Sequence, residues 1–108
     1  GGVIKIKGNS GPFLGYHMSD GTIHVQQNAA PRLGASMTGG KIIISGAIED
    51  MMPTFSIDGV KPKVKVDDTL SLAGPFYVFL GDLAEQGKGK IFVSKAANPA
   101  LKQYEKFL

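Results

Sequence analysis

The side chains best suited to bind a metal ion lie close together near the start of the chain. His17 and His24 are the two histidines of the sequence, and Asp20 lies between them. Imidazole nitrogens and carboxylates are common zinc ligands. However, His24 occupies an outward position in a strand pattern described below, and Asp20 is the sole nearby carboxylate. We therefore predict that these residues do not form a metal site.

A later glycine-rich segment resembles a phosphate-binding loop at first sight. The segment Gly81–Lys88 reads GDLAEQGK. It has five residues between its glycines where that motif needs four, and Lys88 is followed by Gly89 instead of a hydroxyl residue for magnesium. A tight turn between two strands therefore explains the segment better than nucleotide binding.

Two carboxylates in the same segment have the spacing of an acid–base pair. Asp82 and Glu85 also have the spacing of a helix capping box, and Gly87 could end a single helical turn. We favour capping. The chain contains no cysteine, which excludes disulfides, cysteine-ligated metals and thiol nucleophiles. The sequence thus predicts no catalytic, cofactor-binding or metal-binding residue.

Three lysines mark the main concentration of positive charge. Lys61, Lys63 and Lys65 alternate with apolar residues, and Asp67 and Asp68 follow them. The net charge is only +3. This pattern favours a solvated strand face, or an edge strand protected by lysines, over a nucleic-acid site.

A 19-residue repeat carries the two histidines and Asp20. Its copies are Gly1–Ser19, Asp20–Thr38 and Gly39–Pro53. Each copy alternates apolar and flanking residues over a short stretch, which predicts a strand with one buried face. Glycine and proline fill the connections, and no helical pattern separates the strands. A fixed period of this kind indicates stacked coils, so we predict an all-β fold built as a single-stranded β-helix of 19-residue coils.

The register of the repeat predicts which residues stack. The expected inward ladders are Ile4–Ile23–Ile42, Ile6–Val25–Ile44 and Leu14–Leu33–Met52. Asn9 and Asn28 should form an asparagine ladder at a corner, with their side chains bonded to the main chain. Met18 and Met37, also in register, should fill the core.

The second half of the chain leaves the 19-residue register after Pro53 and reads as a cap. The predicted strands are Val60–Val66, Leu70–Leu72, Phe76–Leu80 and Lys90–Ser94, with Phe76–Leu80 fully buried. Asn98-Pro99 should begin a short helix that presents Leu101, Tyr104 and Leu108 on one face and covers the open end of the stack. We thus expect one domain, 1–108, with coils in 1–57 and a cap in 58–108.

Composition and the start of the repeat add three expectations. No apolar run approaches 18 residues, which predicts no membrane span. The lack of cysteine agrees with a cytoplasmic protein. The chain begins inside a repeat, so we expect it to be the C-terminal part of a longer repeat array, with a first strand that exposes an edge and allows self-association.

The repeat also resembles a known family. Its pattern GG-x-I-x-I-x-G-N-x-G-x-x-x-G-x-x-M is similar to the GXGXG repeat domain that forms one subunit of formylmethanofuran dehydrogenase and is also found at the C-terminus of the glutamate synthase large subunit. Gly39–Gly59, Phe76–Lys95 and the Asn98-Pro99 tail favour the first family. The second repeat departs from the pattern, because Gln27 and Ala30 replace glycines.

The resemblance implies a right-handed β-helix that packs between other subunits and has no catalytic residue of its own. The family complex reduces carbon dioxide onto methanofuran to give formylmethanofuran, the first step of methanogenesis in archaea. Its tungsten or molybdenum pterin and Fe–S cluster belong to one partner subunit, and its amidohydrolase-type metal site belongs to another. The chain would be part of an oxidoreductase only as a subunit of this complex, with neither nucleic acid nor membrane as a partner.

Three alternatives remain open from the sequence. The chain could be the GXGXG interaction domain of a glutamate synthase-like enzyme. It could be the homologous GXGXG-repeat subunit of a related bacterial formyltransferase/hydrolase complex, which performs no redox chemistry. It could also be an autonomous enzyme that uses His17, His24 or Asp82, which requires these side chains to converge on one pocket.

Overall fold

The computed structural model describes residues 2–9, 14–15, 18–29, 34, 37–48, 55–66, 69–81 and 87–107, with the side chains at 100, 104, 105 and 107 left aside. In chain order, the elements are strands β1 (Val3–Ile6), β2 (Thr22–Val25), β3 (Lys41–Ile44), β4 (Ser56–Lys65), β5 (Ser71–Gly81) and β6 (Gly89–Ser94), followed by a 3₁₀ helix (Pro99–Phe107). The described residues are mostly strand, which confirms the predicted all-β class.

The six strands form one mixed sheet in the order β1-β2-β3-β6-β5-β4. Strands β1, β2, β3 and β6 are parallel to one another, whereas β5 is antiparallel to both β6 and β4. The sheet therefore combines a parallel stack from the repeats with an antiparallel half from the rest of the chain. A single-stranded β-helix throughout is not what the sheet shows.

The two strand ladders predicted from the repeat are confirmed. Ile4 pairs with Ile23 and Ile23 with Ile42, while Val25 lies between Ile6 and Ile44. The parallel stack continues one strand further than the repeat, because β6 pairs with β3 and adds Ile91 and Val93 to the two ladders. The third predicted ladder is described only at Leu14, which packs against the core; its other members, Leu33 and Met52, lie outside the described residues.

Glycines permit the tight corners between the stacked strands. Gly34 has φ +71°, a left-handed conformation that disfavours side chains, and its register mate Gly15 has φ +72°. A Cβ at Gly34 would also lie 2.9 Å from Ile91 Cδ1. The corner thus requires glycine for two reasons: its backbone angle is left-handed, and the core leaves no room for a side chain.

Each face of the sheet carries its own apolar cluster. The first cluster contains the ladder residues of β2, β3 and β6 together with Met37, Phe55, Tyr77, Phe79 and Leu101, and Met18 packs against it. The predicted core position of Met37 is therefore confirmed, and Met18 is half-buried against the same cluster. Leu101 anchors the 3₁₀ helix to this cluster, whereas the side chain of Tyr104 and all of Leu108 lie outside the described residues.

The second cluster forms because the part of the β4–β5 hairpin around Val64 lies over the other face of the parallel strands. It joins Ile43 and Phe92 of the parallel stack to Val64, Val66 and Phe76 from the hairpin region, with Val78 beside them. The Lys41 ammonium donates a hydrogen bond to the main-chain oxygen of Lys65, which ties β3 to the end of β4. The hairpin thus covers the face of the parallel strands that the repeat pattern predicted to be exposed.

The strands of the second half differ from the prediction mainly in length. The two stretches Leu70–Leu72 and Phe76–Leu80 belong largely to one strand, β5, which runs through Gly74-Pro75. The predicted burial of the second stretch is confirmed from Phe76 to Phe79, with Leu80 half-buried. None of the described helices is long and apolar enough to cross a membrane.

Candidate functional site

The two outer strands of the sheet, β1 and β4, differ in how open they are to another polypeptide. Strand β4 carries the three lysines at 61, 63 and 65, all exposed, and Pro62 lies among them. Its pairing with β5 is interrupted at two places, Ile57/Gly59 and Lys61/Lys63. Lysines, proline and bulges on an outer strand all hinder further strand pairing. This arrangement agrees with the prediction that the three lysines protect an edge strand.

Strand β1 has the opposite character. Its pairing with β2 is regular over Val3–Ile6, and it exposes two large apolar side chains, Val3 at 43% and Ile4 at 58%. Ile23 and Ile42, at the same position of the next two strands, are 9% and 0% exposed. One further strand laid on β1 would therefore bury Ile4 as β1 and β3 together bury Ile23.

The directions of the main-chain N–H and C=O groups of β1 also agree with an edge that can take a further strand. The N–H of Thr22 donates to the oxygen of Gly2 at 2.8 Å, and that of Gln26 donates to the oxygen of Ile6 at 2.9 Å. Alternate residues of a strand face one neighbour, so the even-numbered positions bond to β2 while the amide and carbonyl of Val3 point to the other side.

A cleft of about 370 Å³ opens beside β1 at the end of the stack. Its lining consists of Gly2, Val3, Ile4, Gly15, Met18, Asp20, Gly21, Thr22 and Ile23. Most of this lining is apolar or glycine, and among these residues only Asp20 carries a charged side chain. Such a surface suits the apolar side chains of a polypeptide better than a charged metabolite.

His24 does not lie at an exposed position, contrary to the prediction. The alternation of β2 correctly places it on the face opposite the ladders, but it is only 3% exposed. Its register neighbour Ile43 belongs to the second apolar cluster, so this face is covered by a core of its own. His24 Nε2 and Ser45 Oγ are hydrogen-bonded at 2.9 Å, while His24 Nδ1 is buried without a hydrogen-bond partner.

The remaining chemical candidates are only partly described. His17, Asp82 and Glu85 lie outside the described residues, so the capping box stays a prediction and the convergence that an autonomous enzyme would require stays an open alternative. Of the phosphate-loop segment, Gly81 ends β5 against Phe55, and the main-chain N–H of Lys88 donates to the oxygen of Thr38. Within the described part of the chain, no group of three or more histidine, cysteine, aspartate or glutamate side chains could hold a metal ion.

The burial of His24 gives the fold a pH dependence. Burial is the main cause that lowers the pKa of His24 below the ordinary value of 6.5, and the positive charge of Lys5 adds to it. The unfolded chain therefore binds this proton more tightly than the folded chain, and the free energy of unfolding should decrease as the pH falls below about 6.5. Urea denaturation at pH 7.5 and at pH 5 should show this loss of stability.

Two variants separate the two histidines in this measurement. The His24→Gln variant keeps a polar side chain near Ser45 but does not titrate, so the difference between pH 7.5 and pH 5 should become smaller. The His17→Gln variant measures the contribution of the other histidine. An unchanged difference in His24→Gln would contradict the assignment to His24.

Comparison with family models and with curated proteins gives no relative to guide the assignment. No family model matches the chain, and no curated protein matches it. The open edge at β1 is therefore the candidate site that the structure itself provides.

Proposed function

We propose that this chain is a non-catalytic structural subunit of a formylmethanofuran dehydrogenase complex, in which it holds catalytic subunits together. The repeat pattern and the blocks Gly39–Gly59 and Phe76–Lys95 support the family. The chain would act in the cytoplasm of an archaeon. The tungsten or molybdenum pterin, the Fe–S cluster and the amidohydrolase-type metal would all reside on partner subunits.

The observation that carries this proposal is the contrast between the two outer strands. Strand β4 has the lysines, proline and irregular pairing that oppose added strands, whereas β1 is regular and exposes Val3 and Ile4. An unprotected apolar edge of this kind promotes association with a further strand. The contrast therefore supports a role in assembly, in which β1 takes a further strand.

The finer fold proposal is a right-handed β-helix, and hydrogen bonds between successive coils outside the strands support its stacking of coils. The N–H of Gly34 donates to the oxygen of Leu14 at 2.7 Å, and the N–H of Thr38 donates to the oxygen of Met18 at 2.8 Å. In both cases the donor lies one repeat plus one residue beyond the acceptor. The corners therefore stack in step with the strands, as coils of a β-helix do.

Purification of the full-length protein from its native host, with a tag on this chain, tests the proposal. We expect a pterin-containing subunit and an amidohydrolase-like subunit to co-purify, with tungsten or molybdenum in the complex. The chain produced alone should contain neither of these metals nor zinc in stoichiometric amount. Stoichiometric metal on the isolated chain, or a complex without the two partner subunits, would refute the proposal.

A pair of edge variants makes the experiment specific to β1. Ile4→Lys places a charge on the open edge, whereas Val60→Lys places one on the protected edge, where Val60 is 39% exposed. Ile4→Lys should reduce the recovery of the partner subunits, and Val60→Lys should not. Partners that carry out formyl transfer and hydrolysis without a redox metal, or a single long glutamate synthase-like polypeptide, would favour the alternative families.

A further inference from the structure

We infer that Asp58 is a site of spontaneous covalent modification, at which the main-chain nitrogen of Gly59 attacks the aspartate side chain and converts the residue to isoaspartate. The inference goes beyond the proposed function and does not depend on it, because the reaction needs only water and the chain itself. It concerns the outer strand β4, on the opposite side of the sheet from β1.

The Asp58-Gly59 pair lies at an irregular place inside β4. Asp-Gly pairs are typical of turns, but this strand continues on both sides of the pair. Ile57 pairs with Phe79 of β5. Gly59, two residues further along β4, pairs with Val78, the adjacent residue of β5. Asp58 is therefore the extra residue of a bulge, and such a residue is left out of the regular pairing.

The surroundings of Asp58 leave room for the reaction. Its side chain is exposed, and its carboxylate has no hydrogen-bond or ion-pair partner among the described residues. Gly59 has no Cβ that could hinder the approach of a group to its nitrogen. Even an added Cβ at Gly59 would meet no atom within 4 Å. Neither packing nor a polar contact therefore holds the carboxyl group away from the next main-chain nitrogen.

The reaction proceeds through a cyclic succinimide and is balanced by water. The nitrogen of Gly59 forms a bond to Cγ of the protonated Asp58 carboxyl group; the nitrogen loses its proton, and one carboxyl oxygen leaves as water. The two groups belong to adjacent residues, so their attack is intramolecular. Water then opens the ring. Cleavage of the bond between Cγ and nitrogen restores aspartate, whereas cleavage of the original peptide bond gives isoaspartate.

The bulge also accommodates the product. In isoaspartate the main chain runs through the former side chain and becomes longer by one methylene group, while the former main-chain carbonyl becomes a free carboxylate. Asp58 already lies outside the regular pairs, so the longer chain changes the strand where no regular pair has to be broken. Modified copies should therefore stay folded and present an isoaspartyl carboxylate, the group that carboxyl methyltransferases of the protein-repair class methylate with S-adenosylmethionine.

The chain contains a second Asp-Gly pair that serves as an internal control. Asp20 is also exposed, but its carboxylate accepts a hydrogen bond from the main-chain N–H of Gly21. The oxygen of Gly21 accepts from the N–H of Lys41 at 2.9 Å, and the N–H of Thr22 donates to the preceding coil. The stack thus restrains the main chain at this pair on both sides. The same two residue types are therefore exposed at both sites but differ in main-chain restraint.

Incubation of the folded chain in ¹⁸O-labelled water at mildly acidic pH tests the inference. Each passage through the succinimide leaves one ¹⁸O atom in the residue, and mass spectrometry of peptides locates the label. In the folded chain, Asp58 should take up label at least about tenfold faster than Asp20, which corresponds to a difference of about 1.4 kcal/mol in the cost of freeing the main chain. In urea the two rates should become similar, because both pairs then lack structure.

Two variants assign the reaction to these atoms. Gly59→Ala should slow the uptake at Asp58 by roughly tenfold, which corresponds to a barrier higher by about 1.4 kcal/mol, because the added methyl group hinders the attacking nitrogen. This variant should fold, since the position has space for a Cβ. Asp58→Glu would require a larger ring and should take up no label at this position. Thermal unfolding checks that both variants are folded.

The isoaspartate product has its own readout. A purified isoaspartyl methyltransferase with labelled S-adenosylmethionine should methylate the incubated unmodified chain, and should methylate incubated Asp58→Glu far less. Equal label uptake at Asp20 and Asp58 in the folded chain, or uptake at Asp58 in urea alone, would overturn the inference. Unchanged uptake in folded Gly59→Ala would also contradict it, because the label would then enter by another route.

Discussion

Replacement of Gly46 by alanine should destabilise the fold by about 3 kcal/mol or more, the sum expected for forced overpacking and lost hydrogen bonds. An added Cβ would lie 2.4 Å from the main-chain oxygen of Gln27 and 2.5 Å from Asn28 Oδ1. Both atoms belong to the preceding coil: the first is part of the main chain, and the second is held by the hydrogen bond that it accepts from the N–H of Ala47. The two coils would have to separate at this corner.

The separation would break contacts that join the coils. The N–H of Gly46 donates to the oxygen of Gln27 at 3.1 Å, and the N–H of Ala47 donates to Asn28 Oδ1 at 2.8 Å. Each such hydrogen bond contributes about 0.5–1.5 kcal/mol. A lower unfolding temperature, by roughly 10 °C or more, should therefore accompany the lower free energy of unfolding in urea.

Gly8 provides a matched control for this variant. It occupies the same position of the repeat two coils earlier, but an added Cβ there meets nothing within 4 Å. Gly8→Ala should change the free energy of unfolding by no more than about 0.5–1 kcal/mol, because it affects mainly the unfolded chain. Similar losses in the two variants would contradict the view that coil stacking creates the requirement for glycine at position 46.

The contrast between Gly8 and Gly46 also shows what the repeat could predict. The 19-residue period brings equivalent residues into register, and this is sufficient to predict the parallel pairing of β1, β2 and β3. Burial depends in addition on which strands have neighbours on both sides. Ile4 and Ile42 share one ladder, yet only the middle and later members of the ladder are buried.

The place of β6 in the stack could not be predicted from the period. Lys41 pairs with Lys90, far more than one repeat away along the chain, because the β4–β5 hairpin is inserted between the two strands. A local signal was nevertheless present: Gly89-Lys90-Ile91 repeats Gly40-Lys41-Ile42. A search for the sequence of a coil at any separation would have placed β6 beside β3.

Two other differences arise from long-range packing. The burial of His24 follows from the second apolar cluster, which forms only when the hairpin packs on the outward face of the repeats. Strand β5 continues through Gly74-Pro75 because the regular pairing with β6 begins at Phe76 and the pairing with β4 is interrupted opposite these residues. Pro75 therefore lies outside the regular pairs on both sides, so its lack of an N–H interrupts none of them. The usual rule that proline ends a strand does not apply here.

The predicted asparagine ladder is confirmed and has an additional member. The N–H of Asn28 donates to Asn9 Oδ1 at 2.9 Å, and Asn28 Oδ1 in turn accepts from the N–H of Ala47. The next coil has Ala47 at this position, and Asn98 bonds to this corner in the opposite sense: its Oδ1 accepts from the N–H of Ile48, in the preceding coil, at 2.8 Å. Asn98 follows Ile91 by seven residues, whereas Asn28 follows Ile23 by five, so the sequence alone did not align it with the others.

Replacement of Asn98 by alanine should therefore cost about 3 kcal/mol, because three partly buried main-chain groups lose this partner. Besides the bond from Ile48, Asn98 Nδ2 donates to the oxygen of Gly46 at 2.9 Å and to the oxygen of Ser94 at 2.8 Å. The residue is only 4% exposed, so water cannot readily replace these bonds. Asn9→Ala is the matched control and should cost about 1 kcal/mol or less, since the exposed Asn9 side chain accepts a single described bond.

Asn98→Asp tests the same site by charge instead of size. The new carboxylate can still accept from the N–H of Ile48, but its second oxygen would face the oxygens of Gly46 and Ser94, which cannot donate to it. We expect a loss at pH 7 at least as large as that of Asn98→Ala, and a smaller loss near pH 4, because a protonated carboxyl can donate to one of the two oxygens. Burial and the facing oxygens would raise the pKa of this group in the folded state, so folding would favour the proton and stability would fall as the pH rises. Urea denaturation of both variants at the two pH values measures the difference in the free energy of unfolding. An Asn98→Asp variant as stable as the unmodified chain at pH 7 would show that Asn98 does not hold the coils together through these bonds.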